Sequence, residues 1–243
     1  MTDDHYAEGV RIAGTFKDLD GPNVDPSCHT RLYTHGHRTE RALVLLHGFR
    51  KCPQQLDALG RQFHERGWNV LIPRYPRHGY TDPLDTSIAE LRADLMIALA
   101  SRAGIAGSGL GEHLTVAGVS LGAVLAGWLA QTRVDLYRAV LIDPRPLPGP
   151  AEVTATRMVS RLPNVFLRRS GRRHSSHAYA AVFETGRRLV DAASQEAPRA
   201  AGIAVFTATR CRLVELWRRH RATVETHRWP ATEAFVARVI EGG

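Results

Sequence analysis

The chain has 243 residues and a formal net charge of +8. That length suits one domain over residues 1–243 with a substantial core. No apolar run reaches membrane-spanning length, and the acidic start Met1-Thr2-Asp3-Asp4-His5 lacks the apolar segment of a secretory leader, so a cytoplasmic protein without a membrane span is expected.

Only Lys17 and Lys51 are lysines; every other basic residue is an arginine. The arginines are scattered, which suits a high-GC coding bias better than a phosphate-binding surface. The densest groups are Arg168-Arg169 with Arg172-Arg173, and Arg218-Arg219 with Arg221. Nucleic-acid binding needs clustering on one face and a recognisable module. Neither is present, so no nucleic-acid partner is expected. Cys28, Cys52 and Cys211 match no zinc spacing, and no metal or organic cofactor is expected. A Cys28–Cys52 bridge can form if the strand holding Cys28 pairs near the loop after Gly48. Free buried thiols are the expectation for a reducing compartment.

In chain order, residues 1–25 are polar, contain Gly21-Pro22, and read as a loose arm or edge hairpin. Cys28 to Tyr33 is a weak strand, and His35-Gly36-His37 a turn. Arg41 to Gly48 (RALVLLHG) is a short apolar strand ending in His47-Gly48-Phe49. His47 reads as a structural turn histidine. Pro53 opens a helix with Leu56, Leu59 and Phe63 on one face. Trp68 to Ile72 is the next strand. Pro73 to Asp85 is a Pro/Gly-punctuated loop after a strand end, where open α/β sheets line their sites. His78 and Tyr80 are therefore candidate substrate-binding residues. Ile88 to Ser101 is an amphipathic helix, and Gly104 to Gly111 a flexible link.

Leu114 to Ala130 (LTVAGVSLGAVLAGWLA) then reads as strand, G-x-S-x-G, helix. Gly118 and Gly122 lack Cβ atoms, so strand and helix can approach closely across Ser120. The Ser120 Oγ is thereby pushed above the sheet as a candidate nucleophile. The Leu121 amide lies at a helix start, where donors are unpaired and the dipole favours negative charge. With the Phe49 amide it forms a candidate oxyanion hole. Ala139 to Ile142 is a strand ending in Asp143. Residues 146–184 show no clear strand period and read as an inserted cap. Thr185 to Glu196 is a helix, Gly202 to Phe206 a strand, Arg212 to His220 a helix, Thr223 to Trp229 a strand and Thr232 to Ile240 a closing helix. This alternation predicts an α/β fold with a mostly parallel, doubly wound sheet and helices on both faces.

On LVLLHGF (Leu43 to Phe49), CPQQLDALG (Cys52 to Gly60), the Pro73 to Gly79 loop and GVSLG (Gly118 to Gly122), the chain resembles the α/β-hydrolases of the esterase/lipase, serine-aminopeptidase-like branch. The resemblance is strong over about residues 28–145 and weak beyond. It implies hydrolysis of a small-molecule carboxylic ester through an acyl-enzyme on Ser120, with Phe49 and Leu121 holding the oxyanion. Family members place an acid after the strand equivalent to Gly202–Phe206. Here that loop is Thr207-Ala208-Thr209-Arg210-Cys211, without a carboxylate. The family histidine follows the last strand; here the loop is Pro230-Ala231-Thr232-Glu233. Asp143 and His227 are the substitutes for orienting acid and base. His227 lies in a predicted strand, where a one-residue register shift decides its face. His220, His174 and His177 are weaker candidates. The alternative reading is a catalytically impaired hydrolase fold kept for binding.

Overall fold

Alternating apolar side chains set the layers of this molecule. Along Thr39–Leu46 (β2), Ala42, Val44 and Leu46 join one helical layer, and Leu43 and Leu45 the other. The computed structural model describes residues 2–169 and 172–242, with the side chains of 4–166 and 175–242. The side chains of His174 and of the Arg168, Arg169, Arg172 and Arg173 group lie outside these.

Before β2 come helix α1 (Thr2–Lys17) and strand β1 (Arg31–Tyr33). After it follow α2 (Asp57–Glu65), β3 (Asn69–Ile72), α3 (Ala93–Leu110), β4 (Gly111–Val119), α4 (Leu121–Thr132) and β5 (Leu136–Ile142). A segment of α5 (Pro150–Arg161) and the hairpin β6 (Phe166–Arg169) and β7 (Arg172–Ser175) leads into α6 (Ser176–Gln195). The chain closes with β8 (Gly202–Thr207), α7 (Arg212–Arg219), β9 (Glu225–Arg228) and α8 (Glu233–Glu241). Among the described residues the main sheet has seven strands in the order β1-β3-β2-β4-β5-β8-β9. Only β1 runs antiparallel to its neighbour. Helices α1, α3, α4, α6 and α7 cover one face, and α2 and α8 the other. This is the mostly parallel, doubly wound sheet that the strand–helix alternation predicts. No helix among the described residues is long and apolar enough to cross a membrane.

Four expectations change. Most of residues 1–25 form a helix rather than an arm: Gly9, Ala13 and Phe16 are buried at helical spacing against α3. Gly104 to Gly111 is no flexible link, because α3 runs to Leu110 and its glycines are contact points. A Cβ on Gly109 would lie 2.7 Å from Gly9 Cα, and one on Gly107 2.8 Å from a Val44 methyl. Residues 146–184 contain strands, the β6–β7 hairpin, and the helix expected from Thr185 starts at Ser176. Cys28 and Cys52 are bridged rather than free, while Cys211 is a buried free thiol. The Asp25–Gly79 hydrogen bond and the Val24–Tyr80 bridge bring the loop holding Cys28 onto the site loops, beside Cys52. Such bridges persist in oxidising compartments, so the cytoplasmic expectation gains nothing from this one.

Candidate active site

Ser120 stands between β4 and α4 with φ 54° and ψ −113°, a positive-φ conformation that a side-chain-bearing residue adopts only under constraint. The constraint is visible. Ser120 N donates to Ile142 O at 2.9 Å, and Ser120 O accepts from Val124 N at 3.1 Å. A Cβ on Gly118 would fall 2.1 Å from Gly122 O, and one on Gly122 would fall 1.9 Å from Leu46 O. The two glycines thus let the start of α4 sit directly on the ends of β2 and β4. Ser120 remains partly exposed above the sheet.

The Leu121 amide opens α4, where the helix dipole favours an anion. Phe49 follows the end of β2, and its loop is held on both sides. Gly48 N donates to Gln55 Oε1 at 2.9 Å, and Lys51 N to Gly48 O at 3.0 Å. His78 Nε2 lies 2.6 Å from Phe49 O, and its Nδ1 lies 2.9 Å from Pro76 O. A neutral ring has one proton for these two carbonyl oxygens. His78 is largely buried; it holds the Phe49 loop and also lines the cavity that Tyr80 lines. Sequence reasoning missed this positioning contact and that of Gln55. Tyr80 lines a neighbouring cavity of about 530 Å³, which shares Phe49, Arg50, Lys51 and Tyr179 with the one above Ser120.

The cavity above Ser120 has a volume of about 760 Å³ and brings together Phe49, Ser120 and Asp143. Asp143 sits at the end of β5 with φ 49°, its N–H on Phe206 O at 2.8 Å and its carboxylate accepting from Arg145 Nε at 2.9 Å. His227 is not brought there. It pairs with Phe206 across β8 and β9, and paired residues share a sheet face. That face is the one under α8: the His227 ring packs against Phe206 and Phe235, with centroids 4.8 and 5.2 Å away. Its Nε2 is buried 3.6 Å from Glu225. Among the described residues lining the Ser120 cavity there is no histidine. His177 binds Leu162 O and His220 faces Ser194 O. The loop after β8 brings Arg210 and Cys211, and no carboxylate, to the cavity. Burial pushes the Cys211 thiol up, away from the reactive thiolate.

The match to known proteins is decisive for the fold: the model of the Alpha/beta hydrolase family covers residues 43–241. The chain belongs to the alpha/beta hydrolase family. Among solved structures this chain is similar to a metagenome-derived lipolytic enzyme of the LipS and LipT study, at 16% identity and TM-score 0.62 over 84% of this chain and 87% of that one. It is also similar to the monoacylglycerol lipase of Paleococcus ferrophilus, at 17% identity and TM-score 0.59 over 88% and 96% of the two chains. MenH from S. aureus aligns at 15% identity and TM-score 0.56 over 88% and 94%. At such identities the likeness is one of fold. No curated protein matches the chain.

The histidine that opens the candidate site loop is a packed core residue. His47 is fully buried, stacks on Tyr75 at 3.7 Å, and places Nδ1 2.9 Å from Gly48 O. Burial, with His78 and Arg74 nearby, holds it well below the ordinary imidazole value of 6.5; burial also lowers His78. Both rings are therefore neutral in the folded protein. As pH falls below 6.5 the unfolded chain takes up protons that the folded one refuses. Stability is thus complete above that pH, and each ring costs about 1.4 kcal/mol per pH unit below it, down to its folded value. We expect urea denaturation to show less stability at pH 5.5 than at pH 7.5, by up to about 1.4 kcal/mol for each ring. Ordinary carboxylates titrate below about 4.5 and leave this window clear. A flat profile between the two pH values would show that these rings are not buried neutral.

Proposed function

We propose that this chain is a serine hydrolase that cleaves small-molecule carboxylic esters through an acyl-enzyme on Ser120. What supports the reading is the positive-φ Ser120 backbone, clamped between two glycines that admit no side chain. Ser120 Oγ attacks the ester carbonyl and loses its proton to water, the Phe49 and Leu121 amides take the oxyanion, the ester C–O bond breaks to release the alcohol, and water then hydrolyses the acyl-enzyme. Residues 146–184 serve as the cap, with Tyr179, Val182 and Phe183 of α6 giving the cavity its apolar wall. Asp143 is the candidate orienting acid. No base is assigned, because the His227 ring is engaged under α8. Oxyanion stabilisation and binding alone retain about 10³–10⁴ over water in other serine hydrolases, so slow acylation by activated esters is expected.

The lack of a histidine among the described residues of the cavity favours a second reading, an impaired hydrolase fold kept for binding. One comparison separates the two. A fluorophosphonate probe should label the wild type and leave Ser120→Ala unlabelled, with p-nitrophenyl butyrate hydrolysed only by the former. A well-folded wild type that neither labels nor hydrolyses would establish the second reading.

A further inference from the structure

Charge around the Ser120 cavity is one-sided. Arg50, Lys51, Arg145, Arg210 and Arg212 all line it, from the loops after β2, β5 and β8 and the start of α7. Its two carboxylates are already engaged. Asp143 accepts from Arg145, and Glu152 Oε2 accepts from Gly149 N at 2.7 Å to cap α5. Arg212 spends Nη1 on Pro148 O at 2.7 Å. Among the described residues, Arg50, Lys51 and Arg210 have no carboxylate in ion-pair range.

Elsewhere several arginines are neutralised by a carboxylate. Arg61 pairs with Asp57, Arg133 with Asp135, Arg138 with Glu225 and Arg187 with Glu184. Others among the described residues, such as Arg219 and Arg228, have no such partner, so what distinguishes Arg50, Lys51 and Arg210 is that they converge on one cavity. The same cavity is also lined by the apolar side chains of Leu147, Val182 and Phe183. A ligand that satisfies both halves has an apolar body and an anionic end. Arginine suits such an end, because its planar fork can take two oxygens of a carboxylate or phosphate at once.

We propose that the site takes an anionic acyl ester, with its carboxylate or phosphate end on Arg50, Lys51 and Arg210 and its apolar section under the cap. The proposal rests on Ser120 being the acyl acceptor, and it gives that reaction its substrate class. Cations at a cleft mouth raise the local concentration of an anion and speed its capture, an advantage that salt removes as the Debye length shrinks.

The test uses a matched pair, mono-p-nitrophenyl glutarate and p-nitrophenyl pentanoate, which differ in the terminal carboxylate. Calorimetry on Ser120→Ala reads binding without turnover. The glutarate ester is expected to bind about tenfold tighter than the pentanoate ester, the low end of electrostatic gains at charged clefts. The preference should shrink at about 0.5 M NaCl, a concentration roughly halving the Debye length. Adding Lys51→Gln and Arg210→Gln should reduce it at least about fivefold. Arg11→Gln, on α1 and paired with Glu8, should leave it unchanged. Phenyl phosphate and glutarate as competitors tell which anion is preferred. Equal binding of the two esters, or a preference that survives the double substitution, overturns the proposal. Tighter binding of the glutarate ester to Ser120→Ala, with neither ester turned over by the wild type, supports the anion site and overturns the acyl-transfer reading.

Discussion

Gly122→Ala should cost more than about 4 kcal/mol, enough to deplete the folded protein. The added Cβ would lie 1.9 Å from Leu46 O and 2.4 Å from Leu46 C. Neither atom can retreat. Leu46 is the buried last residue of β2, held in register opposite Gly118. Overpacking that a side chain could relieve by changing rotamer costs roughly 1–3 kcal/mol; here the obstacle is backbone in the centre of the sheet. Gly14→Ala is the contrasting case. Gly14 lies inside α1, would place an added Cβ with nothing within 4 Å of it, and keeps a negative φ. There alanine should stabilise by about 0.5–1 kcal/mol, because glycine loses more backbone entropy in a helix. Urea denaturation of both variants checks the pair. A Gly122→Ala protein as stable as the wild type would mean that α4 does not rest on β2 as described.

The same contrast explains what the sequence reveals. Leu43 to Leu46 and Leu114 to Val119 are buried strands and read as such, because a parallel sheet covered on both faces needs near-continuous apolar runs. Ser120 between two glycines is legible for a related reason: only that composition permits the close approach across the elbow. Helix α1 is poorly legible, since two of the three buried positions among its described residues are Gly9 and Ala13, which carry little hydrophobic signal. The glycines of α3 mislead in the opposite direction. They suggest a link where they are the contact points of packed elements. His227 depends on a pairing register that no local pattern fixes. The cationic mouth is hidden because Arg50, Arg145 and Arg210 are neighbours only in the folded chain.

Asp20→Ala should be the other costly change, at about 3–5 kcal/mol, because it strands a buried guanidinium. Arg74 and Asp20 side chains are 3% and 6% exposed, with Nε and Oδ1 2.7 Å apart. Asp20 Oδ2 also accepts from Thr30 N at 2.8 Å. The rest of the Arg74 fork is committed to backbone: Nη1 donates to His78 O at 2.9 Å, and Nη2 to Leu19 O. The pair therefore ties the segment after α1 to the Pro73–Gly79 loop. The tie continues to the candidate site, since His78 holds Phe49 O and Phe49 supplies the candidate oxyanion amide. Two readouts follow. Urea denaturation gives the loss of stability. Fluorophosphonate labelling, measured well below the denaturation midpoint, gives a slower rate than wild type if the loop has lost its hold. Replacing both partners, Asp20→Leu with Arg74→Met, should recover much of the stability, because an apolar pair leaves no buried charge uncompensated. It should not restore the labelling rate, since a thioether in place of the guanidinium has no donor for His78 O. Full recovery of both by the double substitution would show that the pair fixes only the segment after α1 and not the site.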